Sequence, residues 1–401
     1  MNPLKKFEMI EATRLTREGR LKEAMDLLQG SFGSSKFEAT TPRSAPEYPT
    51  ATLRLLPSRT GSDGARKSTS ERSVDGQTDR RTTQITQSLG ALLDQMRQLG
   101  PAPGLEGLPR LVVRAQSPVP DGARFEERTY ANAAGSRTYK LFVPSGYVGQ
   151  EVPLLVMLHG CKQSPDDFAA GTRMNQLAEE QTFLVAYPAQ STSANASKCW
   201  NWFKARDQER GQGEPSLVAG ITRQIMSDFK VKRTRVSIAG LSAGGAAAAI
   251  MGAAYPDLFE GVGVHSGLAC GAATDMPSAF AAMRAGARPG LPRRSAIRTI
   301  VFHGDRDPTV SSVNGDQVIA QSKSTANLRI SVSQGQSPGG ARYSRTVHTN
   351  ASGDEVLEQW VVHGLGHAWS GGSPAGSYTD ARGPDASREM VRFFFGKPAG
   401  Y

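Results

Sequence analysis

Residues 235–255, RVSIAGLSAGGAAAAIMGAAY, place a serine between a predicted strand and a predicted helix. The apolar run Val236–Ala239 has strand character, and the alanine-rich segment after Gly244 favours a helix. Because Gly240 and Gly244 lack a Cβ atom, strand and helix can approach closely and leave the Ser242 hydroxyl clear at the strand's carboxyl end. The G-x-S-x-G motif in this setting predicts a nucleophilic Ser242, with a glycine-rich turn of no chemical role as the alternative.

The composition excludes several classes of protein. The chain has 401 residues, a formal net charge of +10 and three cysteines. Its basic residues are spread among acidic ones and form no nucleic-acid motif, so we expect no nucleic-acid partner. No apolar run reaches the ~18 residues of a membrane span, so we expect no transmembrane segment. Cys161, Cys199 and Cys270 fit no metal spacing, and we expect neither metal nor cofactor; whether two of them pair stays open.

The first hundred residues differ in composition from the rest. Residues 1–30 have the spacing of a helical hairpin, and residues 85–100 that of one more amphipathic helix. Residues 31–84 are rich in Ser, Thr, Arg, Gly and Pro, which predicts a disordered linker. We expect the helices to serve self-association or surface docking. No signal peptide is visible at the N-terminus, which leaves a cytoplasmic location as one alternative.

Residues 120–398 have the pattern of an α/β domain. Phe125–Ala131 and Ser136–Val143 predict a hairpin, and the apolar run Leu154–Leu158 predicts a buried parallel strand. Strands and helices then alternate, with one helix expected over Asp166–Gln181. The pattern indicates a mainly parallel, doubly wound sheet with its site at the carboxyl ends of the strands.

A serine nucleophile needs a base, and the chain has six histidines. His367 lies in a glycine-rich loop directly after a predicted strand, and we expect it to be the base. His363, four residues earlier, is the alternative. His265 and His348 are expected to be structural.

The acid is expected in the segment HGDRDPTV, which follows a strand. Asp307 lies deeper in this loop than Asp305 and is the favoured acid, although an Asx turn that only holds the loop is possible. The order Ser242, Asp307, His367 is the nucleophile, acid, base order of α/β-hydrolases.

An ester-cleaving serine also needs donors for the oxyanion of the tetrahedral intermediate. The backbone N–H of Ala243 follows the nucleophile, and that of Cys161 is the second candidate. A nucleophilic Cys161 is a weaker alternative. Trp200, Trp202 and Trp369 stand in polar, glycine-containing loops, which suggests a substrate-facing wall, with loop anchoring as the alternative.

The motifs together resemble a known family. They are LHGCKQ (158–163), GTRMNQLAEE (171–180), CWNWF (199–203), GLSAGG (240–245), YPDLFEGVGVHSGL (255–268), HGDRDPTV (303–310) and GHAWSGG (366–372). From about residue 125 to 395 the chain resembles the poly(3-hydroxybutyrate) depolymerase-type esterases, which are related to feruloyl and acetylxylan esterases.

The resemblance implies an α/β-hydrolase fold, a triad of Ser242, Asp307 and His367, and an oxyanion hole from the amides of Ala243 and Cys161. It also implies hydrolysis of hydroxyalkanoate or related carboxylic esters through an acyl-enzyme without metal or cofactor, and an extracellular location. The alternatives are a feruloyl- or acetylxylan-type esterase, a lipase or peptidase, and a non-catalytic scaffold.

Overall fold

A computed structural model describes residues 119–287, 297–323 and 327–396. All of them belong to the second of two units into which the chain divides, Glu106–Tyr401. The three segments expected within residues 1–100 lie outside the described residues.

The described residues contain twelve strands, seven α-helices and one short 3-10 helix (Ala205–Gln208). The strands are β1 (Arg124–Asn132), β2 (Gly135–Val143), β3 (Val152–Leu158), β4 (Leu184–Pro188), β5 (Val231–Leu241), β6 (Gly261–His265), β7 (Arg298–Gly304), β8 (Arg329–Gln336), β9 (Arg342–Thr349), β10 (Glu355–Val362), β11 (Trp369–Ser370) and β12 (Thr379–Asp380). The helices are α1 (Pro165–Thr172), α2 (Met174–Gln181), α3 (Gly213–Asp228), α4 (Ala243–Ala254), α5 (Met276–Ala285), α6 (Val313–Ser322) and α7 (Ala386–Phe395).

Ten of these strands form one mixed sheet in the order β1-β2-β4-β3-β5-β6-β7-β10-β9-β8. The six central strands, from β4 to β10 in that order, run parallel. Antiparallel strands complete each side. The carboxyl ends of the parallel strands meet at one edge, where sites form in open α/β sheets. The prediction of a mainly parallel sheet with an N-terminal hairpin is confirmed.

Helices cover both faces of the sheet, and the central strands are therefore mainly apolar where they pack against these helices. Leu154 of β3 belongs to a core cluster with Ile225 of α3 and Ile250 of α4 on one face. Its neighbour Leu155 points to the other face and clusters with Phe168 of α1 and other side chains of α1, α2 and α7. The alternation of neighbouring residues between the faces follows from the period of two in a strand.

Two local features differ from the sequence-based expectations. The helix expected over Asp166–Gln181 is two helices, because Arg173 adopts a left-handed conformation with φ 56° between them. Strand β8 was not predicted, since it is exposed along nearly its whole length and has no buried face to impose an alternating hydrophobic pattern.

Among the described residues no helix has both the length and the apolar character that crossing a membrane requires.

Candidate active site

Ser242 occupies the sharp turn between β5 and α4. Its backbone has φ 58° and ψ −119°, a region that residues with a side chain rarely adopt. The turn needs glycine on both sides: a Cβ atom on Gly240 would collide with the Gly244 carbonyl, and one on Gly244 with the Leu158 carbonyl at the end of β3. The Ser242 N–H donates to the His265 carbonyl of β6 at 2.9 Å, which fixes the turn to the neighbouring strand.

Asp307 lies in the loop after β7, with its side chain fully buried. Its Oδ1 accepts the N–H groups of Thr309 and Val310, each at 2.9 Å, so the Asx turn considered above is present. Its Oδ2 lies 2.7 Å from His367 Nδ1. Burial by itself would raise the pKa of Asp307, but hydrogen bonds from His303 and His367 hold that pKa well below its usual range. The carboxyl group is therefore an anion at neutral pH.

His367 faces this anion from the loop after β10, with 11% of its side chain exposed. A carboxylate at Nδ1 keeps the proton on that nitrogen, so Nε2 carries the lone pair that a general base requires. Within the described part of the chain, a hydrogen bond connects Asp307 to His367, but none connects Ser242 Oγ to His367 Nε2. Such contacts are often loose in the absence of substrate.

His265 connects the serine turn to the histidine loop. Its carbonyl accepts from Ser242, and its Nε2 accepts the Ser370 N–H at 2.9 Å, three residues after His367. The ring lies between Phe302 and Trp369, stacked at centroid distances of 5.8 and 5.0 Å. Burial, with smaller effects of the neighbouring histidines, lowers the pKa of His265 to about 3. The ring is neutral, as its role as an acceptor requires.

His303 is a contact of the acid that the sequence reasoning missed. Its Nε2 is 2.8 Å from the Val310 carbonyl and 3.5 Å from Asp307 Oδ2, and its side chain is 1% exposed. The signal was present in the sequence, because His303 is a polar residue at the end of an apolar strand and four residues before the acid.

The alternative acid and base pair with each other. His363 Nδ1 lies 2.9 Å from Asp305 Oδ2, and the Gly364 N–H donates to Asp305 Oδ1 at 2.7 Å. More than a third of each of the two side chains is exposed. Asp305 and His363 therefore form a second, solvent-facing pair, separate from Asp307 and His367.

The loop after β3 lies against the serine turn. A Cβ atom on Gly244 would also meet the His159 carbonyl, so the first residues of this loop touch the start of α4. Cys161 follows and forms a disulfide with Cys199, which closes the question that the sequence left open. The Trp200 Nε1–H donates to the His159 carbonyl at 3.1 Å. These contacts anchor the loop that carries the expected second oxyanion donor.

The tryptophans do not form the expected substrate-facing wall. Trp200 and Trp369 are each 1% exposed and Trp202 is 6% exposed. The Trp369 Nε1–H donates to Ser387 Oγ at 3.0 Å, and its ring packs on Phe168. That prediction is wrong, because the loops fold over these side chains and use them as anchors.

The chain is similar to a known protein family and to several esterases. The family described as Esterase PHB depolymerase matches residues 137–342, about half of the chain and including Ser242 and Asp307. A "Poly(3-hydroxyalkanoate) depolymerase C" of Paucimonas lemoignei is 31% identical over 242 residues, which cover 56% of each chain. A "Feruloyl esterase B" of Neurospora crassa is 30% identical over 129 residues, 31% of this chain and 43% of that protein.

The chain thus spans about half the length of the curated relatives it matches. The solved structure of an acetyl xylan esterase from Aspergillus awamori is 18% identical with a TM-score of 0.54, over 68% of this chain and all of that one. That likeness shows the α/β-hydrolase fold. Because this family matches about half of the chain, the chain belongs to the Esterase PHB depolymerase family.

Proposed function

We propose that the protein is a serine esterase with Ser242 as nucleophile, His367 as general base and Asp307 as the acid that orients it. The observation that carries the proposal is the 2.7 Å contact between the buried, anionic Asp307 and His367 Nδ1. The strained turn at Ser242, at the same edge of the sheet, supports it.

In this mechanism Ser242 Oγ attacks the ester carbonyl carbon while His367 Nε2 accepts the hydroxyl proton. The N–H groups of Ala243 and Cys161 are the proposed donors to the oxyanion, and losing one such donor costs about 3 to 4 kcal/mol in the transition state. His367 then protonates the departing alcohol. A water molecule, deprotonated by the same histidine, cleaves the acyl-enzyme and releases the acid.

We propose esters of the poly- or oligo(3-hydroxybutyrate) type as substrates. The support is the family match together with the similarity to a protein named as a poly(3-hydroxyalkanoate) depolymerase. Feruloyl- or acetylxylan-type esters are the second candidate, supported by the similarity to a feruloyl esterase. The fold does not separate the two classes, because the same scaffold accepts different acyl and alcohol groups.

The proposal has two further parts, which concern the compartment of the protein and the role of its N-terminal segment. The disulfide between Cys161 and Cys199 supports an oxidising compartment, such as the outside of the cell, because such bonds persist there. The helical spacing of residues 1–30 supports self-association or surface docking, as a function separate from the esterase chemistry.

The test compares the wild type with Ser242→Ala on p-nitrophenyl butyrate, hydroxybutyrate oligomers, methyl ferulate and acetylated xylan. We expect cleavage of the butyrate and the oligomers by the wild type and loss of both in the variant, with folding checked by circular dichroism. If feruloyl or acetyl esters are cleaved and oligomers are not, the second candidate is correct. If the folded variant keeps wild-type rates, the nucleophile is misassigned.

A further inference from the structure

A groove of about 520 Å³ lies next to the loops that carry Asp307 and His367. Asp305 and Arg306, directly before the acid, line one side of it, and residues 363–365, shortly before the base, line another. Its volume is within the range of small-molecule sites, about 300 to 1,000 Å³. The groove and the proposed catalytic pair therefore share the same two loops.

Three arginines are among the residues that line the groove: Arg306, Arg342 and Arg382. Arg382 is occupied by Asp380, to which it donates two hydrogen bonds of 3.0 and 2.7 Å. Within the described ranges, Arg306 and Arg342 make neither an ion pair nor a side-chain hydrogen bond, and both residues are exposed. Two arginines are thus available to a ligand at one groove.

The negative charge in the groove is already engaged. Among the lining residues, Asp305 supplies a carboxylate, and it is bound by His363 Nδ1 and the Gly364 N–H. These two hydrogen bonds hold the Asp305 carboxylate against the loop that precedes His367. Arg382 is balanced by Asp380, so Arg306 and Arg342 against the single carboxylate of Asp305 leave the groove with an excess of positive charge, which favours an anion with oxygen acceptors.

We propose that this arginine groove, centred on Arg306 and Arg342, binds the free carboxylate at the acid end of an oligoester substrate. The inference rests on the proposed esterase function and names its substrate class as soluble, anionic oligomers. Arginine suits this role because its planar fork matches the two oxygens of a carboxylate.

The distance from the nucleophile sets the length of that oligomer. Ser242 follows β5, whereas the groove lies beyond the ends of β7 and β10, two and three positions along the sheet. At about 4.8 Å per strand this is roughly 10 to 14 Å. A hydroxybutyrate unit has four chain atoms and spans roughly 4.5 Å by the scaling of an extended chain. Two to three units therefore separate the scissile ester from the bound carboxylate.

The direction of the oligomer follows from its chemistry. In a hydroxyalkanoate chain the free carboxylate lies on the alcohol side of every ester bond. The groove therefore holds the part of the substrate that leaves first, while the hydroxyl-terminal part remains on Ser242 as the acyl group. Such a groove gives no advantage on a long neutral polymer, whose internal esters are far from its single acid end.

The test uses two tetramers of 3-hydroxybutyrate, one with its free carboxylate and one capped as a methylamide, in which a small neutral amide replaces the charged group. The variant Arg306→Gln/Arg342→Gln removes both available guanidinium groups. The matched control is Lys232→Gln/Arg329→Gln, which removes two exposed positive charges that do not line the groove. The measured quantity is the ratio of kcat/KM for the free acid to kcat/KM for the capped tetramer, at low and at high salt.

We expect the groove variant to lower this ratio by roughly five- to tenfold at low salt, the range of a solvent-exposed charge-assisted contact, and less at high salt. The control should keep the wild-type ratio. An unchanged ratio in the groove variant, or an equal loss in the control, overturns the proposal. Failure of the wild type to cleave p-nitrophenyl butyrate and both tetramers instead overturns the esterase function, so the two failures are distinguishable.

Discussion

The buried ring of His265 should give the protein a pH-dependent stability that one substitution removes. Burial lowers the pKa of this ring to about 3, whereas an unfolded histidine has a pKa of about 6.5. Between these values the unfolded chain binds a proton that the folded protein does not. The free energy of unfolding therefore falls as the pH is lowered, by up to about 1.4 kcal/mol per pH unit.

Between pH 6 and pH 4.5 this amounts to about 2 kcal/mol from His265. The window lies above the usual pKa of aspartate, so protonation of Asp307 in the unfolded chain contributes little. His159 is also buried with its pKa lowered to about 4, but its contribution is the same in wild type and variant. The difference between the two proteins isolates His265.

The variant His265→Phe keeps a ring between Phe302 and Trp369 and loses the acceptor for the Ser370 N–H. We expect it to be less stable by about 1 to 3 kcal/mol at pH 7, the cost of a buried unsatisfied donor. Its pH dependence between 6 and 4.5 should be flatter by about 1.4 kcal/mol per unit. Urea unfolding followed by tryptophan fluorescence measures both, with His363→Phe as the exposed control. A variant with the wild-type slope would refute the reasoning.

Three further predictions concern the acid, the disulfide and the N-terminal segment. Asp307→Asn should reduce kcat on p-nitrophenyl butyrate by about 10³- to 10⁴-fold, because His367 loses the anion that sets its tautomer. The control Asp305→Asn should reduce kcat by less than about tenfold. Equal losses of kcat in the two variants would contradict the assignment of Asp307. Replacing Cys161 and Cys199 by serine should lower the free energy of unfolding by about 2 to 4 kcal/mol in urea titrations, and an unchanged free energy of unfolding would contradict a stabilising role of this bond. Removing residues 1–105 should preserve kcat/KM on the soluble ester; a folded but inactive truncation would show that the segment takes part in catalysis.

The fold was predictable where its signals are local. The hairpin β1-β2, the apolar strand β3 and the serine turn each carry their pattern within a few residues, so their types could be read directly. The split at Arg173 was not predictable, because a left-handed residue other than glycine leaves no clear signal. Strand β8 was missed since it forms by pairing with β9 and buries almost no side chain of its own.

The candidate site, like the fold, was predictable only in part. Chain order and position after strands singled out Asp307 and His367, and the structure places them in hydrogen-bond contact, while their catalytic role stays a proposal. The burial of Trp369 depends on how a polar loop folds back over the sheet, which its local composition does not reveal. His265 contacts both the serine turn and the histidine loop, and its contact with Ser370 in that loop joins residues 105 positions apart.

The central claim is that Ser242 is the nucleophile, and covalent labelling tests it most directly. A p-nitrophenyl alkylphosphonate reacts with an activated serine, releases one equivalent of p-nitrophenol and leaves a stable adduct whose mass locates it. We expect one label per chain on the peptide that contains Ser242, and none in a folded Ser242→Ala variant. Labelling of another residue, or equal labelling of the variant, would contradict the account.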